Sequence, residues 1–181
     1  MKDAAGQLID ELLVMEAQDG NAQAMEALIS RWQKRLWQYA RRLTGNAEAA
    51  WDVTQESWLG VVRGIRRLDD PARFRPWVYR IVTRKAHDWI GARVRARTQQ
   101  AEPAGEPTTT AGPSKLDVSV DLESVLQRLL VRSRVVLTLY YLEDLGVSEV
   151  AQVLGLPVGT VKSRLHQARN EFKELWQQAT A

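Results

Sequence analysis

Apolar residues recur at helical spacing through most of this chain. Ala24, Leu28, Trp32, Leu36, Tyr39 and Leu43 fall three or four positions apart, which predicts a helix over about 21–43 with one buried face. It should stop at Thr44-Gly45-Asn46, where Gly45 suits a helix C-cap. A shorter helix is expected at about 6–18, a third at 47–67 and a fourth at 74–95, with Pro71 and Pro76 punctuating the passage between the last two. After residue 118 the pattern predicts helices at about 119–130 and 132–142, then a closely spaced pair over 145–169. Alternating strand patterns are scarce, so the fold class is all-α. No internal repeat is apparent.

Between the two helical stretches lies TQQAEPAGEPTTTAGPSKLDV, residues 98–118. Three Pro, two Gly and three consecutive Thr give it no means of building a core, so it reads as a flexible linker. The expected organisation is therefore two small helical domains, 1–97 and 119–181, joined by 98–118.

The pair at 145–169, LGVSEVAQVLGLPVGTVKSRLHQAR, reads as a helix-turn-helix. Ser148 is the expected N-cap of its first helix, with Glu149 in the first turn, where the helix dipole favours an acid. Val150, Ala151 and Leu154 form an apolar face, Gly155 ends the helix, and Pro157 blocks its continuation. The second helix should start near Val158. Val161, Leu165, Ala168 and Phe172 make one inward stripe and leave Lys162, Ser163, His166, Gln167 and Arg169 on or beside the outer face. A short helix presenting such donors can enter the major groove of DNA. The plainer alternative is a helical hairpin with a solvated polar face.

Charge distribution sharpens this picture. The whole chain carries only +3, but residues 1–62 sum to −3, residues 63–97 to +8, residues 98–118 to −2 and residues 119–181 to zero. A solvated helix face usually alternates in sign; a concentrated basic block is the footprint of a polyanion site. Within this block, Val78, Ile81, Val82 and Trp89 read as the buried stripe. Arg73, Trp77, Arg80, Arg84 and His87 lie on a neighbouring face. Arginines neutralise phosphates, and an aromatic ring can stack on an unpaired base, a contact worth roughly 1–3 kcal/mol. Basic residues interleaved with an aromatic suit opening DNA better than a closed duplex. Trp77 alone fits a core anchor equally well. The third helix differs: Asp52, Gln55, Glu56 and Leu59 share one side, an acidic and amide-bearing face that would repel DNA. It suits a protein contact, or solvent.

The chain has no Cys, which excludes disulfides and Cys-based metal sites and suits a reducing cytoplasm. No apolar run approaches the roughly 20 residues of a membrane helix, and the acidic N-terminal stretch does not read as a signal peptide. His87 and His166 are the only histidines, without a partnering carboxylate arrangement, phosphate loop or metal-ligand spacing. No catalytic residue, metal or cofactor is expected. A repressor or activator working without polymerase fits the helix-turn-helix but leaves the acidic third helix unexplained.

Taken together, these residues resemble the bacterial alternative sigma factors of the extracytoplasmic-function (ECF) group, two-domain proteins that direct RNA polymerase to promoters. RRLTGNAEAAWDVTQESWLGVV resembles the family's Thr-Gly-Asn turn and following helix, with Asp52, Gln55 and Glu56 at its polar positions. The resemblance implies that this helix docks on the clamp of the largest polymerase subunit. FRPWVYRIVTRKAHDWIGARVR is similar to the segment that melts and reads the minus-ten element, matching at Phe74, Trp77, Ile81, Asp88 and Arg93. The implied minus-ten set is Arg73, Phe74, Trp77, Arg80, Arg84, Lys85 and Asp88. The helix-turn-helix resembles the minus-thirty-five reader, matching at Glu149, Gly155, Gly159, Thr160, Lys162, Ser163 and Arg164 among others. The implied upstream contacts are Lys162, Ser163, Arg164, His166, Gln167 and Arg169.

The resemblance also implies docking on the flap of the second-largest polymerase subunit, and an anti-sigma factor as inhibitor. Three positions depart from the family pattern. Arg84 replaces an Asn tied to minus-ten readout, Trp51 replaces an acid, and Leu130 stands where Pro often precedes the Arg134 helix.

Spacing then suggests a mechanism. Promoter elements two helical turns apart are separated by roughly 70 Å. A free 21-residue coil averages roughly 25 Å, at about 5–6 Å times the square root of its length. Fully extended, it reaches about 70 Å. The free chain would seldom hold both elements at once, and polymerase would have to set the spacing.

Overall fold

Residues 4–100 and 121–180 are described by a computed structural model, and their regular structure is helical. Four helices form the N-terminal module: α1 (Ala4–Gln18), α2 (Ala22–Thr44), α3 (Ala47–Gly64) and α4 (Phe74–Gln100). Two short 3-10 turns, Ile65–Arg67 and Pro71–Arg73, bridge α3 and α4. The C-terminal module holds α5 (Leu122–Arg128), α6 (Val131–Leu137), α7 (Val147–Leu154) and α8 (Val158–Thr180). The body of the 98–118 segment lies outside the described residues. Its first three positions belong to α4, which runs five residues past the helix end at 95 predicted from periodicity.

Local chemistry explains the boundaries. Asn21 opens α2 by accepting from the Gln23 and Ala24 N–H groups at 2.9 and 3.3 Å. Gly45 closes it with φ 69°, and its N–H bonds Arg41 O. A side chain there would also sit 2.8 Å from Gln127 Oε1, so Gly45 is required twice, for its backbone angle and for its neighbour. The predicted stripe of α2 is the core: Leu28, Leu36, Tyr39 and Leu43 are almost wholly buried. In α3, Gly60 and Gly64 let α4 approach closely; a Cβ at Gly64 would lie 3.0 Å from the Trp77 ring.

The helix-turn-helix forms with one shift at its start. The N-cap of α7 is Gly146, not Ser148, because the Glu149 carboxylate reaches back to accept the Gly146 N–H at 2.8 Å. Gly155 ends α7 at φ 64°, and α8 begins at Val158 as expected. Val161, Leu165 and Ala168 are buried, and Phe172 continues the stripe half-buried. Leu130, in place of the family's Pro, brings an N–H that needs an acceptor. Glu171 of α8 supplies one at 2.7 Å and also takes the Ser133 hydroxyl at 2.6 Å. Thus α6 starts at Val131 without proline.

The two modules pack against each other and share one continuous apolar core. Arg134 of α6 is buried and reaches Leu43 O at 3.0 Å, placing a cation on the last carbonyls of α2. Gln127 donates to Arg42 O at 2.8 Å. A free-coil treatment of the linker assumes independent modules; their mutual burial makes the chain a single body.

Candidate nucleic-acid interface

On α8 the outer face is formed as the periodicity predicts. Lys162, Ser163, His166, Gln167 and Arg169 are exposed, and Arg164 is half-buried beside them. Among the described residues, Lys162 and Arg164 have no ion pair. The Ser163 hydroxyl is tied to Thr160 O at 3.0 Å, and His166 faces Asn170 at 3.4 Å. Arg169 differs from the rest. Its guanidinium lies over the Tyr140 and Tyr141 rings at 5.8 and 5.6 Å, so it braces the Thr138–Leu142 turn that follows α6 as well as facing outward.

On α4 the predicted stripe is buried at Val78 and Val82 and half-buried at Ile81 and Trp89. Arg73, Arg80, Arg84 and Asp88 are exposed; Lys85 is half-buried. Phe74 is 1% exposed and meets Trp32 edge-on at 5.5 Å, so in this arrangement it supports the face from beneath. Trp77 takes a middle position. Its ring rests on Gly64 and against Phe74 at 6.1 Å, yet its outer part lines an open groove with Arg73 and Arg80. Trp77 is therefore a packing anchor with an accessible edge. His87 is exposed at the surface, and partial desolvation by its neighbours holds the imidazole below its ordinary value, against the opposing pull of Asp88.

The groove's other wall is unexpected. It is built by Ser148, Gln152, Gly155 and Pro157 of the helix-turn-helix, so α7 and its turn face the basic surface of α4. The structure brings the two candidate readers together.

The acidic side of α3 points away from its core contacts. Asp52, Gln55, Glu56 and Leu59 are all exposed, with Val62 and Trp51 alongside. Trp51 packs on Trp37 at 5.6 Å, so the departure from the family's acid has a structural partner. Glu56 also pairs with Lys85 at 3.1 Å, joining this face to α4.

One residue escaped the sequence reading. Glu143 follows an apolar helix in YYLEDLG, a place where an acid is ordinarily solvated. It is instead 2% exposed, with its carboxylate on Arg35 at 3.0 Å, Arg42 at 3.2 Å and the Tyr79 hydroxyl. No local signal could have revealed this, since every side-chain partner lies at least 64 positions away.

Comparison with known proteins agrees with this architecture. Sigma-70 region 2 matches residues 28–96, and sigma-70 region 4 matches residues 119–172. The ECF RNA polymerase sigma factor SigW of Bacillus subtilis is 26% identical over 89% of this chain and 93% of its own length. The ECF RNA polymerase sigma-E factor of Salmonella typhimurium is 28% identical over 90% and 92%. Among solved structures, CnrH in complex with the cytosolic domain of CnrY superposes with a TM-score of 0.70 at 27% identity, covering 94% of this chain and 98% of that one. The sigma factor RpoE of Bartonella quintana shares the fold, with a TM-score of 0.68 at 20% identity. A two-module promoter reader is the class that this fold and these matches define. The chain belongs to the extracytoplasmic-function group of the sigma-70 family, and serves RNA polymerase in promoter recognition. No helix among the described residues is long and apolar enough to cross a membrane.

Proposed function

We propose that the three exposed faces divide the work of initiation. Residues 1–97 form the minus-ten and polymerase-binding domain, and residues 119–181 the minus-thirty-five domain. Asp52, Gln55, Glu56 and Leu59 meet the clamp of the largest polymerase subunit. Arg73, Arg80, Arg84 and Lys85 hold phosphates of the minus-ten element while an unpaired base stacks near Trp77, with Phe74 and Asp88 shaping that surface. Arg84, in place of the family's Asn, gives the minus-ten site an added cation and a changed base preference. On α8, Lys162, Ser163, Arg164, His166, Gln167 and Arg169 read the upstream element in the major groove, the C-terminal module resting on the polymerase flap.

The observation that carries this reading is α8 itself: a donor-rich outer face, without ion pairs at Lys162 and Arg164 among the described residues, over a stripe buried at Val161, Leu165 and Ala168. The chain performs no catalysis of its own in this scheme; it acts in the cytoplasm, where the polymerase works. CnrH was solved with the cytosolic domain of CnrY, and RpoE with the anti-sigma factor NepR. By extension, this chain is held by an anti-sigma partner of its own.

In-vitro transcription with core polymerase on a genomic fragment library tests the reading and yields the promoter consensus. Discrete start sites that depend on this chain are expected. Transcription that is the same with and without it would refute the assignment.

A further inference from the structure

We propose that Arg169 grips the phosphate backbone beside the upstream element rather than its bases, and that Tyr140 and Tyr141 are the positioning residues that hold it there. This inference rests on the reading of α8 as the upstream reader, and it divides the work along that helix.

Arg169 follows Lys162 by seven positions, close to two helical turns, so the two side chains leave α8 on the same side. At about 1.5 Å per residue they stand about 10 Å apart along the helix axis. A recognition helix meets base edges with its N-terminal residues, and Lys162 and Ser163 lie in the second turn of α8. The major groove is about 8.5 Å deep and about 12 Å wide. With Lys162 on the bases, a donor about 10 Å farther along the axis stands at the groove's rim, where the phosphates run.

The surroundings of Arg169 suit such a contact. It is exposed, and no carboxylate pairs with it among the described residues. Its guanidinium lies instead over Tyr140 and Tyr141, whose rings meet edge-on at 4.9 Å and 82°. An aromatic face attracts the charge without the oxygen acceptors a carboxylate would bring, so the N–H fork is left for phosphate oxygens.

The backbone explains how two consecutive rings reach one guanidinium. Neighbouring side chains on an α-helix diverge by about 100°. Residues Thr138–Leu142 form a widened π turn instead, in which the Glu143 N–H bonds Thr138 O at 2.9 Å, and turns of this kind are frequent at functional positions. Tyr140 is half-buried against the core, whereas Tyr141 is 55% exposed. One ring anchors the brace and the other carries it outward. A free arginine loses rotamer freedom when it settles on a phosphate; one already held by two rings loses less, so its contact is stronger. Phosphate contacts also fix register, which sets how Lys162 and Ser163 meet the bases.

The test uses holoenzyme assembled from core polymerase and each variant. It is titrated over a range of salt onto a promoter fragment recovered from the library transcription, and onto the same fragment with its upstream element scrambled. Arg169→Ala should weaken both fragments alike and reduce the slope of log affinity against log salt by about 0.9, the share of one phosphate. Lys162→Ala should weaken the intact element more than the scrambled one. Tyr141→Leu should weaken both fragments about two- to five-fold, and should add nothing once Arg169 is alanine. Tyr141→Phe keeps the ring and should bind as wild type. Circular dichroism reports whether Tyr141→Leu keeps its helices; if it does not, Arg169→Lys serves in its place and should keep the salt slope while losing affinity. An unchanged slope in Arg169→Ala, or loss of preference for the intact element there, would overturn the backbone contact. Equal losses from Tyr141→Leu in both Arg169 backgrounds, a loss in Tyr141→Phe, or full affinity in Arg169→Lys would overturn the brace. If neither Lys162→Ala nor Arg169→Ala alters binding, the reading of α8 fails and this proposal with it; an effect at Lys162 alone removes only the role of Arg169.

Discussion

Helices α4 and α8 both carry basic faces, but they hold them differently. On α4 and the turn before it several charges are engaged within the protein: Arg73 of the 3-10 turn with Asp70 at 3.3 Å, Lys85 with Glu56 at 3.1 Å, and Arg75 with the carbonyls of the α6–α7 junction. On α8, Lys162 and Arg164 have no such pair among the described residues, and the helix is anchored from its other side by the inward stripe and by Glu171 on Leu130 and Ser133. A face with unpaired donors is ready for a duplex that arrives whole. One with part of its cations already paired, although Arg80 and Arg84 stay exposed without an ion pair among the described residues, and with its aromatic half-sunk, releases the paired ones only when something displaces the partners. In the proposed scheme this matches the tasks, since reading a closed groove needs only exposed donors, whereas opening DNA is coupled to polymerase docking.

The largest effect expected from breaking this contrast comes from beneath α8. Leu165 is 3% exposed, and Leu165→Ala should cost about 2–5 kcal/mol, lowering the thermal midpoint and abolishing upstream binding with it. Lys162→Ala and Arg164→Ala should do the reverse, leaving the midpoint in place and weakening promoter binding by about 1–3 kcal/mol each if they touch bases. Unchanged run-off transcription from both variants would remove them from the reading face. Trp77→Ala should cost about 1–3 kcal/mol in strand opening, seen as lost permanganate reactivity of minus-ten thymines, while closed binding through α8 persists.

Gly64→Ala is a finer test. The new methyl would press the Trp77 ring from 3.0 Å, so about 1 kcal/mol of stability and a partial opening defect are expected together. If the ring yields without cost, calorimetry and permanganate will both read as wild type. The smallest effect is at Lys85→Gln. Its pair with Glu56 is solvent-exposed and should contribute under about 1 kcal/mol to stability, a change visible only in a double-mutant cycle.

Much of this was legible in the chain. The stripe of α2, the Gly45 and Gly155 caps and the four-three-four spacing on α8 are local patterns, and each formed where expected. Misplacements were also local. Ser148 lost the N-cap to Gly146 because a Glu149 side chain can satisfy the same donor from three residues on. The end of α4 ran past 95 because nothing there forces a helix to stop.

Helical periodicity, the caps, the partition of charge and the family follow from the order of residues, because each depends on neighbours within a turn or two or on a run of matched positions. Which charges are engaged and which face solvent is set by packing between distant segments. Glu143 looks like any loop acid until folding places Arg35, Arg42 and Tyr79 around it, and Trp77 becomes half-anchor only through its contact with Gly64. The reason is physical: burial and pairing arise from residues far apart in sequence that packing makes adjacent, and the electrostatic value of a group depends on the dielectric and partners it meets there.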